Sequence, residues 1–240
     1  MNYNENKVKK YFRHDYIFHN IYFVLINTEV NKEYLKTVPH REFFDMSIIY
    51  KVLIDRTEEG IASYVLTNEH LNVLGLIEQN LYDRAKTNTF NLFAPYFAKV
   101  QNKIIDTLKS KTFEAGDLEK VEIEREIERL EKEACDSIVY CISNADFIYG
   151  ATYILNVDIM DCIAEIFNDD FYISPSSVHE CVLIPAGKLD NLSIVLDTLS
   201  FSNRELVASK EILSNNIYKY DRESRSITVA VTGDKNALTA

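Results

Sequence analysis

Residues 43 to 67, FFDMSIIYKVLIDRTEEGIASYVLT, hold two β-prone runs around an acidic loop that ends in glycine. β-branched and aromatic residues dominate both runs, and TEEG (57 to 60) is a turn, so the stretch predicts an antiparallel hairpin. The same signal recurs near the other end, where IYKYD and SITVAV flank RESR. Between the two, SIVYCIS (137 to 143) reads as a strand, and DFYIS and ECVLIP read as short strands about the corner PSSVHE. Strands that arrive as hairpins, with helices in blocks between them, predict an α+β fold. Its sheet is antiparallel or mixed, built from hairpins, with helices packed on it, rather than doubly wound and parallel.

Only six glycines and four prolines punctuate 240 residues, so most of the chain lies in regular elements and no glycine-rich phosphate loop is present. The apolar run NIYFVLIN (20 to 27) leads into a short helical NKEYLKTV. A helix capped by Thr67 or Asn68 is expected to bury one stripe of Leu71, Leu74, Ile77, Leu81 and Ala85. Further helices are expected from Leu92 to Leu108, from Phe147 to Asn168, and over LDNLSIVLDTLSF. DLEKVEIEREIERLEKEA (117 to 134) is a charged helix with a narrow seam of Ile123, Ile127, Leu130 and Ala134. That seam either packs on its own domain or forms a homodimer contact. The chain divides into a polar arm (1 to 19), a first α/β half (20 to 116), the charged helix (117 to 134), a second α/β half (135 to 231) and a disordered tail (232 to 240).

Composition removes several functions. A formal net charge of −11 argues against a nucleic-acid or anionic-membrane partner, since binding phosphates takes clustered Lys and Arg. Tyr11, Phe12, Tyr16 and Phe18 interleave with Lys9, Lys10 and Arg13 like a base-stacking surface, but core packing of an amphipathic segment accounts for them as well. Cys135, Cys141, Cys162 and Cys181 lack zinc-ligand spacing, so neither a metal, a cofactor nor a disulfide framework is expected. No apolar run is long enough to cross a bilayer and MNYNENKVKKYFRHD is no secretory leader, so the chain reads as cytoplasmic.

Polar residues that could do chemistry gather at two corners, Pro39-His40-Arg41-Glu42 with Asp45, and Ser176-Ser177-Val178-His179-Glu180-Cys181. Both have the form apolar run, proline, turn, histidine, acid, apolar run. If the corners meet, His40, Asp45, His179 and Glu180 could form an acid-base or metal site. Against this, no glycine flanks Ser176 or Ser177 as a nucleophile elbow requires, and Cys181 has no setting that lowers a thiol pKa. Ser177 and Glu180 stand in capping-box register, a purely structural use. His70, in the first turn of its helix, is expected in solvent.

INTEVNKEYLKTVPHREFFDMSIIYKVLI, TNEHLNVLGLIEQNLYDRAKTNTFNLF, FYISPSSVHECVLIPA and LSNNIYKYDRES together resemble a bacterial family, domain of unknown function 5688. The resemblance runs from Ile21 to Ser226, and shorter pieces are similar to a sister family, domain of unknown function 1444. Family members usually begin with a further N-terminal region, replaced here by polar residues. The charged helix 117 to 134 looks like an enlarged linker between the family's two halves. The resemblance implies a fold, a bacterial origin and a habitat in gut clostridia and their mobile elements, and no reaction.

The resulting expectation is a non-catalytic protein that binds a protein partner, as an accessory or counter-defence factor of a mobile element. His40, Arg41, Ser177, His179 and Glu180 are its candidate binding residues. The alternative is a hydrolase or metal-dependent phosphoesterase built on His40, Asp45, His179 and Glu180.

Overall fold

A short helix, His14–Asn20 (α1), delivers the chain into the strand Ile21–Asn27 (β1). The computed structural model describes residues 9–57, 60–112 and 116–233. The beginning of the expected polar arm, two residues of the TEEG loop and residues 234–240 of the expected tail lie outside them. α1 is no loose arm: Ile17 is buried, and the Tyr16 hydroxyl donates to the carbonyls of Leu53 (3.1 Å) and Ile54 (3.3 Å). Tyr16 and Phe18 pack on the main core, while Phe12 is 43% exposed.

A helical turn, Lys32–Leu35 (α2), precedes the hairpin of His40–Phe43 (β2) and Met46–Thr57 (β3). β3 is the centre of the first sheet. It pairs with β1 along one side, and on the other with β2 and then with Gly60–Val65 (β4), all antiparallel. β1 and the first half of β3 are mostly apolar and buried because both faces of the sheet are covered there. Phe23, Leu25, Ile48 and Tyr50 enter the main core, while Tyr22, Val24 and Ile49 enter a second cluster with Leu35, Val38 and Phe93.

The expected single stripe from Leu71 to Ala85 is split between two helices, Asn68–Leu74 (α3) and Glu78–Leu92 (α4). Gly75 causes the break. It holds φ +64°, the left-handed region, and Leu76 N–H returns to Leu71 O at 3.0 Å, closing the helix end. Ile77 is consequently 65% exposed, off the stripe. His70 is half-buried rather than in solvent, because its Nδ1 accepts from the N–H of the cap residue Thr67 (3.1 Å) while Thr67 Oγ1 accepts from His70 N–H (3.3 Å).

Where one helix was expected from Leu92, Pro95–Lys99 is a strand (β5) followed by the helix Val100–Thr112 (α5). Proline is tolerated because β5 is an edge strand and Pro95 its first residue. The charged helix, Asp117–Asp136 (α6), lies against α5, and its seam residues Ile123, Leu130 and Ala134 are buried there. The seam offered as a dimer contact is thus occupied within the chain, and what α6 leaves outside is Leu118 and Val121.

After Tyr140–Asn144 (β6), the expected helix from Phe147 begins only at Val157–Phe167 (α7), behind a 3-10 stretch, Gly150–Leu155. Phe147 (φ 52°) and Tyr149 (φ 58°) sit in the left-handed region, which no helix can include. Phe171–Ser174 (β7), Cys181–Pro185 (β8), the helix Leu192–Glu205 (α8), Ile217–Asp221 (β9) and Ser226–Val231 (β10) complete the chain. The second sheet runs β10-β9-β7-β8-β6-β5, with every pair antiparallel. The fold is α+β.

The inner face of this second sheet, through Ile142, Ile173, Leu183 and Tyr218, joins the same main core as the first. Its outer face packs under α8 in a third cluster of Ile184, Val195, Leu199 and Ile217. Each such side chain fully buried stabilises by about 1.5–3 kcal/mol, so the shared core makes the two sheets one folding unit. A buried polar tie reinforces the junction: Asn27 donates from Nδ2 to Leu213 O (3.0 Å) and accepts at Oδ1 from Val30 N–H (2.9 Å). Asn27→Ala is expected to cost about 1–3 kcal/mol for each group left without a partner. Urea denaturation should show a single transition at a lower midpoint with unchanged slope.

Candidate functional site

The first corner is a tight hairpin turn. His40 opens β2 opposite Ile49, its ring exposed and its Nδ1 3.1 Å from Val38 O. Arg41, one residue on and therefore on the other face, donates through Nε (3.2 Å) and Nη2 (2.7 Å) to Glu78 and through Nη2 to Gln79 (2.7 Å). Its guanidinium carbon lies 3.7 Å from the centre of the Tyr82 ring. Glu78 also accepts from the Tyr50 hydroxyl, and burial followed by this carboxylate pushes the Tyr50 phenol far up. Asp45, at the turn, accepts from the hydroxyls of Tyr218 and of Ser214 (2.7 Å). Burial, then Asp45, holds Tyr218 well above the ordinary phenol range.

The second corner is held by backbone. Ser214 N–H donates to Pro175 O (3.1 Å), Leu213 N–H to Ser176 O (3.2 Å), and Val178 N–H to Glu211 O (2.9 Å). Ser177 forms an isolated bridge with Ile212, and its Oγ accepts from His179 N–H at 3.2 Å. No helical turn starts here, so the capping box expected between Ser177 and Glu180 does not form. Glu180 instead pairs with Lys103 of α5, both about one quarter exposed. Cys181 is fully buried in β8.

His179 turns toward a strained loop. Its Nδ1 accepts from Tyr149 N–H (3.3 Å), so the neutral ring carries its proton on Nε2, which faces Glu211 at 3.7 Å. The ring stacks on Tyr149, with centres 5.9 Å apart, and Lys51 Nζ approaches the Tyr149 hydroxyl at 3.1 Å from the first sheet. Gly150 makes this approach possible. A Cβ there would lie 2.2 Å from Ser143 Oγ, 2.4 Å from Asn144 N and 2.7 Å from His179 O.

The two corners do come near each other, through the segment Leu213-Ser214-Asn215, which bonds to both. What meets there is Asp45 with two hydroxyls. Among the described residues, no hydrogen bond, ion pair or ring contact joins His40 to His179, or either of them to Asp45 or Glu180. No three His, Cys, Asp or Glu side chains among the described residues are placed to hold a metal ion. Tyr149, Gly150, Ser214 and Tyr218 were not singled out from the sequence. The signals available were a lone glycine behind an aromatic pair of residues, and the polar LSNN leading into a strand.

Between α8 and the outer face of the second sheet runs a groove of about 290 Å³. Val182, Ile184, Leu189, Val195 and Leu199 are among its walls, Ser176, Thr198 and Ser202 stand among them, and no lining side chain is charged. Ile194 (61% exposed) and Phe201 (53%) continue the apolar surface along α8. The periodicity of LSIVLDTLSF held the clue: its apolar residues are too many for one face.

A family model described as a family of unknown function, DUF5688, matches residues 1–222. The match thus takes in the polar first residues, ahead of Ile21 where the motif resemblance begins. No curated protein and no solved structure matches the chain.

Two outcomes follow for this region. Gly150→Ala should destabilise by about 1–3 kcal/mol, as overpacking against backbone does, read from the denaturation midpoint. Burial, then Glu180, pushes the Cys141 thiol up to about 11 and that of Cys181 well above its ordinary value, whereas Cys135 and Cys162 are exposed. A thiol reagent at neutral pH should therefore titrate Cys135 and Cys162 in the native protein, and Cys141 and Cys181 only after unfolding.

Proposed function

The chain belongs to the family of unknown function DUF5688, a membership that brings no activity with it, and we propose from the geometry that it works by binding an apolar segment of a protein partner. The groove under α8 carries this reading. It is concave, apolar and uncharged, and it continues onto exposed Ile194 and Phe201, the anatomy of an interface core rather than of a reaction centre.

The residues of the hydrolase alternative support the same reading by their engagements. His40 rests on Val38 O, Asp45 accepts from Ser214 and Tyr218, His179 is bonded to Tyr149, and Glu180 is paired with Lys103. A net charge of −11 favours a partner whose apolar segment is flanked by Lys or Arg. Four free thiols suit a reducing compartment, in keeping with a cytoplasmic site of action. Among the described residues no helix is long and apolar enough to cross a membrane.

Thr198 is exposed at the groove, so Thr198→Trp would fill the hollow from outside without entering the core. The expected result is a partner captured by the wild-type protein and lost from the variant, with an unchanged melting temperature. Capture of the same set of proteins by both would remove the groove from the reading.

A further inference from the structure

On the inner side of the second sheet lies another hollow, of about 230 Å³, where the outer edge of β2 faces β9, β10 and α7. Its walls include Ile48, Met160 and Ile227, and two guanidiniums, Arg41 from the first sheet and Arg225 from the turn before β10. Both arginines are paired with carboxylates. Arg41 is fixed by Glu78 and Gln79 through Nε and Nη2, leaving Nη1 without a bond among the described residues. Arg225 is paired with Asp161 and, at 3.6 Å, with Asp158. Pinned guanidiniums present their remaining N–H donors in a set direction at little further loss of side-chain freedom.

Two other features border the same hollow. Arg225 has φ 53°, a left-handed position that glycine or asparagine ordinarily fills, so the turn carries a guanidinium there against its backbone preference. Glu42 also lines the hollow. β2 and β3 are joined by a two-residue turn closed by Phe43 and Met46, which turns the backbone N–H and C=O of Glu42 away from β3.

We infer that this cleft binds a small amphiphile with an apolar body and an anionic head, a carboxylate or a phosphate monoester. The body lies against Leu155, Val157 and Ile227, the accessible apolar lining in front of buried Met160, and the head lies between Arg41 and Arg225. Because each guanidinium is already balanced by a carboxylate, the head is recognised by directed N–H donors rather than by net charge.

The chain has three methionines, Met1, Met46 and Met160. Met46 and Met160 are both fully buried, but only Met160 lines the cleft, so its methyl group is a reporter of occupancy. In protein carrying ¹³C-methyl methionine, titration with octanoate should move the Met160 methyl signal saturably and leave Met46 in place. Octanol should bind at least about tenfold more weakly, and Arg225→Gln should weaken octanoate by a similar factor, the loss of one charge-assisted pair. Octyl phosphate run beside octanoate identifies the head group by whichever binds more tightly. A Met160 signal that stays still with both anions, octanol equal to octanoate, or an Arg225→Gln protein that binds as the wild type does would each overturn the proposal.

Discussion

Burial of β1 and β3 on both faces is the constraint from which the rest of the structure follows. A two-sided apolar sheet cannot be satisfied by helices of its own half alone. One face is closed by α4 and by the inner face of the second sheet, in a single core that runs from Phe23 and Tyr50 to Ile173 and Tyr218. The other face needs Leu35 and Val38 from nearby, and Phe93 and Tyr149 from far along the chain. Bringing Tyr149 there bends the loop after β6 into two left-handed residues, and Gly150 must then pass Ser143, Asn144 and His179 without a side chain.

The corner PSSVHE is where these demands are reconciled. Its histidine supports the strained Tyr149, its glutamate reaches α5, and its backbone carbonyls hold the segment Leu213-Ser214-Asn215, whose serine answers Asp45 in the opposite corner. Polar residues gather at such a place because backbone groups at a junction of sheets have no ladder partner and must be satisfied by side chains and turns. A cluster of His, Ser and acid is therefore compatible with pure architecture.

Much of the fold was legible in the sequence, because hairpins announce themselves locally: β3 with β4 and β9 with β10 follow from alternation and turn residues alone. The seam of 117 to 134 was also legible, though not its occupant. What could not be read was set at a distance. Gly75 breaks a stripe whose spacing alone would continue it, Pro95 is accommodated only because β5 lies at an edge, and Phe147 and Tyr149 abandon helix for contacts with residues many positions away. The two corners were visible as composition. Their company was not, since Ser214 and Tyr218 reach Asp45 only once both sheets have closed on one core.

The third apolar cluster has a consequence for motion. α8 rests on the outer face of the second sheet through Val195 and Leu199 and shares no member with the main core, and near its C-terminal end buried Asn203 donates to Ser214 O (2.9 Å) and Asn215 Oδ1 (2.6 Å). Elements that stand outside a protein's main core belong to the low-stability end of its structure, where local opening costs less than global unfolding.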